Sequence, residues 1–158
     1  MKKMFVLALA AMFCMAGFAK STQDVINEIV QSTGAQVITL SKDLIAAQTA
    51  GMPENVKNIL KDVNGGTLVI LSEGSDDQIK TFNGKIEEID TKEYETIASF
   101  VDGSDNIKVF GKHDDDNITE LIIVFLDDED CVMIDVTGNI SKEDASKLLN
   151  KETLQMIL

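Results

Sequence analysis

The sequence predicts an α+β domain: one unit, mainly an antiparallel sheet ending in a three-stranded meander, with helices packed on at least one face. Three observations carry this. The apolar strand patterns Ile107–Lys112, Ile118–Leu126 and Cys131–Thr137 follow one another across short acidic turns, and links that short force antiparallel neighbours. Segments with helical apolar spacing fill the first half of the chain and return near its end. A single proline, with no repeat and no low-complexity linker, leaves nothing to mark a domain boundary in 158 residues.

The elements follow in order. Lys2 and Lys3, the apolar run Met4 to Met15, and Gly17-Phe18-Ala19 form the pattern of a secretory signal peptide, with cleavage expected after Ala19 and a single domain over residues 20–158. The run is too short to span a bilayer, which takes ~20 apolar residues. Cys14 offers a lipoprotein as the rival reading, but Phe13 is too bulky for that cleavage site. The mature chain is therefore expected to be soluble, in the periplasm or secreted, without membrane insertion.

Ser21 to Thr33 reads as a helix, with Ser21 and Asp24 as a capping pair, Val25, Ile26, Ile29 and Val30 on one face, and Gly34 to end it. Gln36 to Ser41 leans towards a strand, although Leu44 to Ala47 could draw a helix through it. Pro53 suits a first helical position, Val56, Ile59, Leu60 and Val63 keep the helical period, and Asn64-Gly65-Gly66 is expected to stop that helix. Thr67 to Ser72 is apolar on consecutive positions, as in a strand buried on both faces. Glu73 to Ile89 is ambiguous: Ile79, Phe82, Ile86 and Ile89 have helical spacing and Gly84 interrupts. Thr91 is expected to cap a helix over Lys92–Val101 that buries Tyr94, Ile97, Ala98 and Val101. After the meander, Thr137-Gly138-Asn139 is expected to turn the chain, and Ser141 with Asp144 to open a last helix, Lys142 to Asn150. The apolar tail from Leu154 to Leu158 is expected to dock on the domain's own core, or else on a partner.

Charge narrows the function. The chain carries −13 at pH 7, and −15 once Lys2 and Lys3 leave with the signal; it has no arginine. Such a surface repels nucleic-acid phosphate and anionic lipid, and no guanidinium fork is present to grip them. Nucleic-acid binding is excluded on this ground. With one cysteine, Cys131, beyond the signal, no internal disulfide can form, and Cys131 is expected to be a packed hydrophobe.

Catalytic motifs are missing. His113 is the only histidine, no Gly-x-Ser-x-Gly elbow accompanies it, and it is expected in an exposed turn. A Cys131–His113 pair would bridge strands ~10 Å apart, beyond hydrogen-bond reach. No catalytic or cofactor-binding residue is assigned, and no cofactor is expected unless calcium. Hard cations take oxygen ligands, and the turns supply Asp114, Asp115, Asp116, Asp127, Asp128 and Asp130 with Glu129, though without EF-hand spacing and at opposite ends of the central strand.

Val37-Ile38-Thr39-Leu40-Ser41-Lys42-Asp43-Leu44, Tyr94-Glu95-Thr96-Ile97, Glu120-Leu121-Ile122-Ile123-Val124 and Val132 to Ile140 resemble, in turn, the early strand with Ser-Lys, the central tyrosine helix and the closing strands of the family named domain of unknown function 4252. Leu44 departs from the methionine of many members. The resemblance spans most of the mature chain. It implies a small exported Bacteroidetes protein of the cell envelope, with a weak lean to a signalling or accessory role, and no activity or site residues. The leading expectation is a non-enzymatic domain that binds an envelope protein. The alternatives are an acidic calcium-binding module and a carboxylate-based hydrolase.

Overall fold

In a computed structural model, which describes residues 20–89 and 92–148, the domain opens with helix α1 (Thr22–Thr33). The signal-like segment, Thr91 with its expected capping role, and the apolar C-terminal tail lie outside the described residues. Helix α1 begins where the Ser21 side chain accepts from the Asp24 N–H, and it ends at Gly34, whose φ of 76° is the left-handed conformation that glycine adopts without a Cβ clash. The segment that could be read as strand or helix is both in succession: β1 (Gln36–Ser41), then α2 (Lys42–Thr49) capped by Ser41, whose Oγ accepts from the Leu44 N–H at 3.2 Å. Helix α3 (Glu54–Leu60) follows Pro53, which stands as the cap in front of the helix rather than as its first residue.

Strand β2 (Val63–Leu71) leads into α4 (Asp76–Ile86), which resolves the ambiguous stretch as a helix. A full capping box starts it: Ser75 accepts from the Gln78 N–H while the Gln78 side chain accepts from the Ser75 N–H. Gly84 sits in α4 on an exposed side, where nothing would meet a Cβ. Then come β3 (Tyr94–Asp102), β4 (Asp105–Asp114), β5 (Asn117–Leu126), β6 (Cys131–Ser141) and α5 (Lys142–Leu148). Ser141 caps α5 by accepting from the Asp144 N–H at 3.1 Å.

The six strands form one sheet in the order β1-β2-β6-β5-β4-β3, antiparallel throughout. The expected meander is there, with β5 between β4 and β6, and helices cover both faces. Helices α1 and α4 bury Val25, Ile26, Ile29, Phe82 and Ile86 against Val69, Ile122, Val124 and Met133. Across the sheet, α2, α3 and α5 bury Ile45, Val56, Ile59 and Ala145 against Val109, Leu121, Ile123 and Ile140.

Three expectations are overturned. The helix over Lys92–Val101, the tyrosine helix of the resemblance, is strand β3. Its register slips between Thr96 and Ala98, and that bulge places Ile97 and Ala98 together against the same core. The slip gives Tyr94, Ile97, Ala98 and Val101 a spacing that mimics a helix, while the β-branched and aromatic content of the stretch favours a strand. Asn64-Gly65-Gly66 does not stop a helix; it lies inside β2. A Cβ on Gly66 would run into the Asp135 carbonyl of β6, so glycine is there to let the two backbones approach. Thr137-Gly138-Asn139 does not turn the chain; it continues β6, with Gly138 packed on the Asp62 carbonyl and the Asn139 N–H donating to that same oxygen at 3.0 Å.

Two glycines therefore respond in opposite directions. Gly66→Ala forces β2 and β6 apart and is expected to lower the unfolding free energy by about 1–3 kcal/mol. Gly84→Ala adds helix propensity in open space and is expected to raise it by about 0.5–1 kcal/mol. Urea denaturation of the two variants beside the parent chain measures both.

Candidate functional site

The acidic turns sit at opposite ends of β5. Asp114, which ends β4, and Asp115 and Asp116 in the β4–β5 turn are all exposed, and Asp115 has a φ of 51°. At the other end, Asp127, Asp128 and Asp130 form the β5–β6 turn, and two of them act structurally. The Asp127 carboxylate accepts from the Glu129 N–H at 3.3 Å, and the Asp130 carboxylate accepts from the Glu73 N–H at 3.1 Å, holding the β2–α4 loop. Among the described residues no three His, Cys, Asp or Glu side chains gather closely enough to hold a metal ion. The calcium alternative thus has scattered oxygens rather than a cage.

Cys131 and His113 do not meet. His113 pairs with Ile118 at one end of β5 and Cys131 with Leu126 at the other. Eight residues of strand put ~27 Å between those positions. Cys131 is fully buried, and burial pushes its thiol up to about 12, the state of a packed and unreactive cysteine. His113 departs from the exposed turn residue expected. It belongs to β4, it is partly covered, and its Nε2 lies 3.1 Å from Glu95 Oε2, off the direction of a hydrogen bond.

A polar cluster that sequence reading missed lies on the face covered by α1 and α4. The Tyr94 hydroxyl accepts from Thr22 Oγ1 at 2.8 Å and donates to Glu120 Oε2 at 2.8 Å, so β3, α1 and β5 meet at one buried phenol. Lys112 lies over the same ring, 5.7 Å from its centroid. Burial raises the Tyr94 pKa above its ordinary value and keeps the hydroxyl a donor. Asp135, on β6, is the diagonal neighbour of Glu120: it faces Ile122, and Glu120 faces Thr137. Its Oδ1 is buried without a hydrogen-bond partner. Burial first, and the adjacent Glu120 second, push its carboxyl up to about 7. The only sequence signal was an aspartate at a strand position whose neighbours on that face, Met133 and Cys131, are apolar. Asp135 has the proton affinity that carboxylate catalysis uses, but it lines neither the cleft beside α5 nor the hollow between α1 and Lys85.

Among the described residues the sheet ends in two edge strands, and they are unlike. Strand β3 is interrupted by its bulge and carries Glu95 and Asp102. Strand β1, with the sequence QVITLS, has no charge, no proline and an unbroken register with β2. It exposes Val37 by 44 % and Ile38 by 42 %, one on each face, and Leu44 just beyond it is also exposed. No helix among the described residues is long and apolar enough to cross a membrane.

Among the described residues, these features define a single α+β domain on a six-stranded antiparallel sheet that is covered on both faces and has β1 at one edge. The chain belongs to the family described as domain of unknown function (DUF4252), whose model matches residues 12–148. No curated protein and no solved structure matches it.

The Asp135 carboxyl sets a pH dependence. Its folded value of about 7 stands above the ordinary 3.8, so the native state holds the proton that the unfolded chain releases. Its contribution to stability is complete below about 3.8 and is lost as pH rises to about 7, with no further change above that. Asp135→Asn is expected to match the parent near pH 4 and to be the more stable protein at pH 8. Chemical denaturation at pH 4, 6 and 8 checks this.

Proposed function

We propose that the domain is an exported cell-envelope module that binds a protein partner, in the periplasm or beyond it, by adding an extended segment of that partner to the open edge of β1. The observation that carries the reading is the contrast between the two edges. An unpaired edge presents free N–H and C=O groups to any passing strand, and folded proteins blunt such edges with charge, proline or a bulge. Strand β3 has charge and a bulge. Strand β1 has neither, and its six residues offer ~20 Å of pairing length with an apolar side chain towards each face. Main-chain hydrogen bonds would supply affinity, and the surroundings of Val37 and Ile38 would select alternate side chains of the added strand.

Charge favours a different protein over a second copy of this one. Two exported copies would bring a net −15 against −15, whereas a neutral or basic segment meets no such repulsion. The signal-like N terminus supports export, and the scattered catalytic groups support binding over turnover.

Site-specific photo-crosslinking in the native cell envelope tests the reading. A photoreactive residue replaces Val37 on β1 or Val101 on β3, which is itself 72 % exposed. A discrete adduct with another protein from position 37, absent from position 101, is the expected result. Adducts of equal yield at both positions, or none at 37, overturn it. An adduct of twice the chain mass at 37 shows that the edge receives a second copy and overturns the choice of partner.

A further inference from the structure

The face covered by α2, α3 and α5 holds a cleft of about 320 Å³ at the end of the sheet away from β1, between β3, β4 and α5. That volume lies at the lower end of small-molecule sites, which run ~300–1,000 Å³. Its floor is apolar, made by Ile97, Ile118 and Ala145. Two local devices build the floor. The β3 bulge brings Ile97 to this face, and Gly111 beneath it leaves the space that Ile97 fills, because a Cβ there would run into the Ile97 side chain.

The rim is polar and carries both signs: Glu95 on β3, His113 on β4 and Lys142 on α5 all line it. Both ring nitrogens of His113 are shielded from solvent, and neither has a hydrogen-bond partner. A neutral imidazole has one donor and one acceptor nitrogen, and shielded polar atoms left unpaired are rare enough to need a cause. The Glu95 carboxylate covers Nε2, but that side chain is 74 % exposed and free to turn aside.

We infer that this cleft binds a small zwitterion with an apolar side chain, the chemistry of a free apolar amino acid or a dipeptide. The ammonium pairs with the Glu95 carboxylate once that exposed side chain swings off the His113 ring. The carboxylate meets the Lys142 ammonium, and the side chain lies on Ile97 and Ile118. Overall charge selects the same class. A simple anion is repelled by a strongly acidic chain, and a simple cation is drawn to every acidic turn, whereas a zwitterion is neutral at a distance and paired at contact. The site stands apart from the β1 edge and does not rest on the strand-addition reading.

The test uses the single histidine as reporter. The ring C–H signals of His113 are followed by NMR in residues 20–158 during titration with L-leucine, with glycine as the probe that lacks the apolar group. A saturable shift with leucine, at least about tenfold weaker with glycine, is expected. Lys142→Met, an exposed substitution, is expected to weaken leucine binding about tenfold at unchanged melting temperature. Gly111→Ala, which displaces Ile97 into the cleft, is expected to abolish it. No saturable shift with leucine, an equal response to glycine, or leucine binding unchanged in Lys142→Met overturns the inference.

Discussion

Strand β5 buries side chains on both of its faces, sending Ile122, Val124 and Leu126 into one core and Ile118, Leu121 and Ile123 into the other. Fully burying a side chain of this size stabilises by ~1.5–3 kcal/mol. Neither layer of helices can therefore leave without exposing the strand that the other layer needs. The two cores share one sheet whose central strand has no solvent side.

A sheet covered on both faces is demanding about backbone approach. Where β2 meets β6, Gly66 and Gly138 remove the Cβ atoms that would strike the Asp135 and Asp62 carbonyls. Where β3 joins, Tyr94 ties its strand to α1 and β5 through one hydroxyl. The same crowding leaves Asp135 pointing into a covered face beside Glu120, a position that favours the protonated carboxyl. Stability falls with rising pH at that one position as a consequence of closure, in opposition to the usual acid loss of paired carboxylates such as Glu28 and Glu88, which Lys20 and Lys85 hold below the ordinary range.

Much of this was legible in the sequence, and the failures share one cause. The meander, the capped helices at Ser21 and Ser141, and the packing of Cys131 followed from local period and capping chemistry, which act within a few residues. The errors at Lys92–Val101, Asn64-Gly65-Gly66 and Thr137-Gly138-Asn139 all fall at or beside register shifts between strands. A bulge adds one residue to one strand only, so it breaks the two-residue period, and the glycine beside it looks like a turn. What fixes such a residue lies elsewhere in the chain: the Asp135 carbonyl for Gly66, the Asp62 carbonyl for Gly138 and the paired strand β4 for the β3 bulge. The Tyr94–Glu120–Asp135 cluster and the cleft at His113 were illegible for the same reason: each joins residues from three or more elements, whereas the runs of aspartate that drew attention were local and mostly solvated.

The sheet order also bears on how the two proposed sites relate. Strand β1 lies at one edge and β3 at the other, five strand spacings apart, or ~24 Å. No ligand of the cleft's size reaches from one to the other. Coupling across that distance requires an element with two arrangements that both sites bias. The strands between them, β2, β6, β5 and β4, bury Val69, Met133, Ile122, Val124 and Val109 completely, and close packing resists intermediate positions. The exposed hydrogen-bonding edge of β1 and the polar rim around His113 lie instead at the two margins, where side chains such as Ile38 and Glu95 can reorient without disturbing either core. Strand addition at one margin and small-molecule binding at the other are therefore separable, each set by its own edge of a rigid sheet.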